Sequence, residues 1–230
     1  MVKAHASPDP PAAGMKSAAI AAIHRILGRE YRQRQAPVVG LVEARAEDPF
    51  RALVATILSA RTKDETTAAV CRRLFKGVRK PHDFDRLTQR QLQRLIFPIG
   101  FFRTKARHLK QLPSVLDRLF GGRIPDTLDD LCRLPGVGRK TANLVLTLAF
   151  DQPAICVDVH VHRISNRLGL VKTVTPFATE MALRRVLPRR YWKTWNFYLV
   201  SHGQTVCAPR NPRCAQCRIF RFCRRRGVHR

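Results

Sequence analysis

The sequence predicts an all-α fold. Three observations carry that expectation. Apolar residues recur at helical spacing through most of the chain, cap residues stand where those stretches begin, and the β-rich stretch from Ala154 to Val161 is short and isolated. Asp48 followed by Pro49 reads as an N-cap with proline at the first helical position. Phe50, Leu53, Val54, Ile57 and Leu58 then share one face, and the helix stops near Ala60. The polar run Arg61-Thr62-Lys63-Asp64 follows, with Asp64 as the cap of a new helix. Thr88 and Gln91 have the spacing of a capping box, with Leu87 and Leu92 as its hydrophobic staple.

Pro98 and Gly100 interrupt the chain before a long amphipathic helix. That helix turns Ala106, Leu109, Leu112, Val115, Leu116 and Leu119 inward and ends at Gly121-Gly122. A short helix starts at Thr127 and is ended by Pro135-Gly136. Another runs from about Gly138 to Phe150, with Val145, Leu146 and Ala149 on its buried side. Pro176, Pro188, Pro209 and Pro212 divide the C-terminal third into shorter helices and loops.

The charge narrows the function classes. Lys and Arg number 43 against 16 Asp and Glu, a formal net charge of +27, while hydrophobic residues still make up 45%. A chain that can build a core and carries this excess fits a polyanion, and nucleic acid stands ahead of a membrane surface. No apolar run approaches the ~20 residues that span a bilayer. Residues 1–15, with Pro8, Pro10 and Pro11, read as a disordered leader without the apolar centre of a secretory signal.

Leu134-Pro135-Gly136-Val137-Gly138 joins two of the helices. Glycines on both sides of Val137 allow backbone N–H groups to turn outward at a helix start, a site for a phosphate oxygen, and Arg139 adds charge. The pattern resembles a helix-hairpin-helix, which grips backbone phosphate without reading sequence. An ordinary helix–helix turn uses the same residues, and the high positive charge favours the phosphate reading. Lys140 follows in the first turn of the second helix. A deprotonated lysine there is a nucleophile for carbonyl-like carbon. Asp158 stands among apolar neighbours in Ile155-Cys156-Val157-Asp158-Val159-His160, where a carboxylate must be paired or used. A helix N-cap and a catalytic role are compatible at that position.

Cys207, Cys214, Cys217 and Cys223 are separated by six, two and five residues. Four thiolates so close can converge on one soft metal centre. Spacing alone reads first as zinc, since it matches no ferredoxin pattern. Arg210 and Arg213 lie in the six-residue gap. The scattered Cys71, Cys132 and Cys156 together with a thiolate metal site suit a reducing compartment, the cytoplasm and its nucleoid.

Taken together, Leu134 to Asn143, Val157 to His160, the cysteine spacing, Leu58-Ser59-Ala60-Arg61-Thr62-Lys63-Asp64 and Ile99-Gly100-Phe101 resemble the endonuclease III family of base-excision DNA glycosylases. The resemblance runs from about Asp48 to Cys223. It implies two lobes with an active-site cleft between them: a six-helix barrel over residues 43–154, and a cluster lobe that joins an N-terminal helix (16–42) to residues 155–230. It implies a 4Fe-4S cluster on the four cysteines, Lys140 as the nucleophile and Asp158 as the catalytic carboxylate. The implied substrate is double-stranded DNA holding an oxidised pyrimidine or an abasic site, processed by a monomer without a membrane partner. Base removal and β-elimination would both pass through a lysine Schiff base. Phe101 stands where the family carries an apolar wedge, and Arg61 replaces the family's usual gap-filling glutamine. Two other readings are a monofunctional mispair glycosylase of the same superfamily and a non-enzymatic iron–sulfur redox sensor. Lys140 counts against the first, and Lys140 together with Asp158 against the second.

Overall fold

The computed structural model describes residues 15–34 and 48–228. The leader expected over residues 1–15, apart from Met15, lies outside the described residues, as does the end of the segment 16–42. Among the described residues every regular element is helical, and no helix is long and apolar enough to cross a membrane. Among the described residues the α-helices are, in order, α1 Ser17–Gln33, α2 Pro49–Ser59, α3 Asp64–Leu74, α4 Gln89–Ile96, α5 Phe102–Phe120, α6 Leu128–Cys132, α7 Arg139–Ala149, α8 Val159–Leu168, α9 Pro176–Val186 and α10 Trp192–Thr205. Short 3-10 turns punctuate them, among them Cys214–Gln216 and Phe220–Phe222. The chain divides into two compact units, one of Arg32–Cys156 and one of Met1–Tyr31 with Val157–Arg230.

In the unit Arg32–Cys156, α2 is the central helix. Asp48 caps it, accepting from the N–H groups of Phe50 (2.9 Å) and Arg51 (3.3 Å). Every residue from Ala52 to Leu58 is buried, so α2 has no wet face. It packs on α3, α5 and α7, while α4 lies on α3 and α5, and α6 on α7. One continuous core results, in which Leu53, Phe84, Leu92, Leu109, Leu112 and Val145 are fully buried. The capping box at α4 forms as expected: Gln91 N–H donates to Thr88 Oγ1 (3.2 Å) and Thr88 N–H to Gln91 Oε1 (2.7 Å). Helix α5 ends at Gly121 in the left-handed region (φ 59°).

Several sequence expectations are corrected. Asp64 is the first residue of α3 and Lys63 is its N-cap, with no side-chain capping bond. Leu119 is only half-buried, whereas Val115 and Ala149, also half-buried, do pack against the core. Helix α6 ends at Cys132, before the Pro135-Gly136 pair, because Arg133 already turns back onto Asp130 O. The Ala154–Val161 stretch is an extended connection that becomes helix at Val159.

In the other unit, Ile20, Ile23 and Leu27 of α1 are buried, as are Val161, Ile164 and Leu168 of α8 and Trp195 and Leu199 of α10. Helix α8 packs on α9 and α10. His24 of α1 stacks on Tyr191 at 4.1 Å between ring centroids and shares a 2.8 Å hydrogen bond with Thr194.

A fully buried helix such as α2 must satisfy its last carbonyls without water. Lys105 of α5 does this: its Nζ donates to Leu58 O (2.8 Å) and Ala60 O (2.5 Å). The ammonium sits at the negative end of the α2 dipole. Burial nevertheless pulls the Lys105 pKa from its ordinary 10.5 down to about 8. Between those values the unfolded chain binds a proton that the folded chain does not, so this group makes stability rise with pH across that window. Wild type should therefore gain thermal stability relative to Lys105→Met as pH climbs from about 8 to 10.5. Paired melting curves check this, and a constant difference would refute a buried, desolvated ammonium.

Candidate functional site

The sequence-selected residues fall into four places. The first is the turn entering α7. Gly136 has φ 78°, and a Cβ there would lie 2.6 Å from His108 Nδ1, so both backbone and space demand glycine. The expectation that the turn's amides all point outward is corrected at Val137. Its N–H donates inward to Leu134 O (3.1 Å), and its side chain is buried beside that of Leu134. Gly138 is the N-cap of α7 at φ −95°, exposed, with open space where a Cβ would go. The first intrahelical bond runs from Ala142 N–H to Gly138 O (2.9 Å), so the earlier amides sit at the positive end of the helix. Arg139 and Lys140 open α7, and Lys140 is exposed. Beneath it the buried Cys156 thiol approaches Lys140 O at 3.6 Å.

Lys140 has an acidic neighbour that the sequence did not single out. Burial raises the pKa of Asp64, the adjacent Glu65 adds to that rise, and the positive charge of Lys140 opposes it. Asp64 is thus within electrostatic reach of Lys140. Its only signal in the sequence was its place in the Arg61–Asp64 run.

The second place joins Arg61 and Phe101. Phe101 is 61% exposed and so is not a core side chain. Both residues have left-handed backbones, φ 55° and 58°, and the Arg61 guanidinium lies 5.4 Å over the Phe101 ring.

The third place is the start of α8. Asp158 is its N-cap, accepting from His160 N–H and Val161 N–H at 2.9 Å each. Both bonds go to Oδ1, leaving the other oxygen out of the cap.

The fourth is the cysteine region. Cys207, Cys214, Cys217 and Cys223 are unpaired by disulfides and line one cavity with Ile164, Leu168, Val206 and Ile219. No three His, Cys, Asp or Glu side chains among the described residues are grouped so as to hold a single metal ion. Burial is the chief cause that pushes the Cys217 thiol up to about 11, and it raises Cys223 as well. A ligand set of this kind favours thiol until a cationic centre displaces the protons. Arg167 Nη1 donates to Cys207 Sγ (3.4 Å) and Ala208 O (2.7 Å), and its Nη2 to Pro209 O (2.7 Å). Arg163 Nη2 reaches Cys207 O (2.8 Å). His202, itself buried, lies between Glu30 Oε2 (3.2 Å) and Cys217 Sγ (3.6 Å). Sequence reasoning missed all three supports. Their signal was polar residues on otherwise apolar helical faces: Arg163 and Arg167 one turn apart on α8, and His202 on α10, which Glu30 of α1 meets. Arg210 and Arg213 are exposed on the loop between Cys207 and Cys214, which Arg213 N–H ties to Val206 O (2.9 Å).

Residues 54–189 match the family model described as HhH-GPD superfamily base excision DNA repair protein. Endonuclease III of Thermotoga maritima is 46% identical over 183 residues, spanning 78% of this chain and 86% of that one. The chain belongs to the endonuclease III family. Endonuclease III of Bacillus subtilis is 38% identical over 178 residues, covering 77% and 81% of the two chains. Among solved structures, a trapped endonuclease III–DNA covalent intermediate in an estranged-adenine complex superposes with TM-score 0.80 at 32% identity, covering 92% of this chain and 97% of that one. The protein is therefore a base-excision DNA-repair enzyme of helix-hairpin-helix type.

The two glycines of the turn separate folding from binding. Gly136→Ala should cost about 1–3 kcal/mol through its left-handed backbone and the His108 clash. Gly138→Ala should leave the melting temperature nearly unchanged, yet weaken DNA binding by placing a methyl group at the helix start. Melting curves paired with duplex titrations test both. Unchanged affinity in Gly138→Ala would contradict phosphate contact at this turn.

Proposed function

We propose that this chain is a bifunctional DNA glycosylase and abasic-site lyase acting on double-stranded DNA that carries oxidised pyrimidines. The observation that carries the reading is Lys140: an exposed amine in the first turn of a helix that begins at a glycine with open space beside it. A relative caught in covalent linkage to DNA supports the covalent route.

The target carbon, C1′, is hidden in a duplex, so the damaged nucleotide is first extruded, most cheaply where a lesion stacks poorly. Lys140 Nζ, as free amine, forms a bond to C1′ while the C1′–N bond to the base breaks and the base leaves with that electron pair and a proton. Opening of the sugar gives an iminium ion. Loss of a C2′ proton then expels the 3′ phosphate by β-elimination. Asp158 stabilises positive charge developing on the sugar and accepts the proton that Lys140 must lose. Gly136, Val137, Gly138 and Arg139 shape the turn that holds backbone phosphate, with Gly138 and Arg139 presented to the DNA. Phe101 enters the stack from which the base has left, and Arg61 faces the base on the opposite strand.

The four cysteines hold a 4Fe-4S cluster. What supports a cluster is that all four thiols line one cavity and stand at the six, two and five spacing that resembles the family. The donor set fits, because Arg167 and the Arg225 N–H (3.4 Å to Cys223 Sγ) stand ready to bond to anionic sulfur. Such a cluster would supply a cross-link between Cys207, Cys214, Cys217 and Cys223. This chain's contribution is the loop it fixes, which offers Arg210 and Arg213 to phosphate. The enzyme works in a reducing compartment alongside DNA.

Borohydride should trap a covalent adduct between the protein and a duplex with an oxidised pyrimidine or abasic site. Lys140→Ala should abolish that adduct and lower strand cleavage by at least about 10³-fold while binding persists. Asn caps helices as well as Asp does, so Asp158→Asn should keep the fold and lower the single-turnover rate by about 10²–10⁴-fold. An adduct that survives Lys140→Ala, or full activity in Asp158→Asn, would overturn the assignments. Affinity should also fall steeply with salt. A flat salt response would mean that the positive charge serves something other than DNA.

A further inference from the structure

The loop before α3 and the loop before α5 are fastened together. Gly100 N–H donates to Thr62 Oγ1 (3.0 Å), a bond between residues 38 positions apart. A Cβ on Gly100 would lie 2.5 Å from Arg61 O, so the two backbones touch. The neighbours of this contact are Arg61 and Phe101, both left-handed and both exposed. Non-glycine residues hold such a backbone only where their surroundings over-determine it.

Lys105 supplies much of that surrounding. It is only 7% exposed and has no carboxylate partner among the described residues. Its backbone N–H makes the first bond of α5, to Phe101 O (3.0 Å). Its ammonium bonds Leu58 O and Ala60 O, the carbonyls just before Arg61, and lies 3.5 Å from Thr62 Oγ1. One residue therefore holds the Phe101 end by its main chain and the Arg61 end by its side chain.

We propose that Lys105 is a positioning residue that locks Arg61 and Phe101 into a single preformed wedge for the duplex. The proposal rests on the reading of those two residues as DNA-facing. Its physical advantage is that the ordering cost of two loops is met during folding rather than on the DNA. Without Lys105, the carbonyls of Leu58 and Ala60 lose their donor and the loops are free to drift apart, leaving Phe101 exposed but no longer aimed.

The test uses the full chain and a duplex with a tetrahydrofuran abasic analogue opposite 2-aminopurine, whose fluorescence rises when it is unstacked. Saturating wild type should give a large rise. Saturating Lys105→Met, held well below its melting temperature, should give a rise smaller by about fivefold or more, as expected from loss of the hydrogen bonds to Leu58 O and Ala60 O. Thr62→Val keeps the buried ammonium but removes the bond from Gly100, and should also lose part of the rise. That variant decides the matter if Lys105→Met does not fold. A full rise in either variant would overturn the lock, because a merely stabilising cap leaves the saturated signal intact. Phe101→Ala separates the two levels of the argument. If it keeps the full rise, the wedge reading itself is wrong. If it loses the rise while Lys105→Met keeps it, only the role of Lys105 falls.

Discussion

The shortage of carboxylates governs this molecule. With 43 lysines and arginines and only 16 aspartates and glutamates, most cations cannot find an acidic partner. They are accommodated by backbone carbonyls and ring faces instead. Lys105 takes the carbonyls at the end of α2, Lys110 those of Phe84 and Leu87, and Arg73 those of Leu95 and Phe97 at the end of α4. Arg163 and Arg167 take those of Cys207, Ala208 and Pro209. Other arginines lie over aromatic rings, as Arg61 does over Phe101 and Arg221 over Phe222. Carbonyl dipoles orient a cation without neutralising it, so the fold satisfies its hydrogen bonds and keeps its positive field. The same arrangement makes the protein foldable and makes it a DNA binder.

The chemistry is placed by short backbone devices. A left-handed glycine at 136 fixes the turn that aims α7, and Lys140 takes its place in the first turn of that helix. Asp158 is held by two amides of its own helix and needs no salt bridge to be oriented. That helix, α8, also carries Arg163 and Arg167, so the carboxylate and the cysteine loop share one support. Because the cap uses only Oδ1, the carboxylate proposed as proton acceptor is also the one that starts α8, and a like-for-like amide is the change that separates the two roles.

Local signals in the sequence located most helices and the residues that begin them. Asp48, Thr88, Thr127 and Asp158 cap the helices they were expected to cap, because capping depends on a residue and its next three neighbours. The order of the hairpin, the Asp158 segment and the cysteines was enough to identify the family. What escaped was long-range. The Lys105 side chain contacts residues 45 and 47 positions away, and Glu30 meets His202 across 172 positions. No periodicity encodes such pairs. Val137 shows a second limit: glycine spacing predicted a turn but not which amide the turn consumes. Arg61 and Phe101 were picked out as family positions, while their stacking on each other was visible only in three dimensions.

The central claim is that one lysine, at the mouth of α7, forms a covalent bond to the sugar. The most direct measurement is to reduce the reaction with borohydride on an abasic duplex, digest the adduct and map the modified peptide by mass spectrometry. The account predicts a single sugar remnant on Lys140. Attachment to Lys63, Lys105 or the N-terminal amine, with Lys140 unmodified, would contradict it.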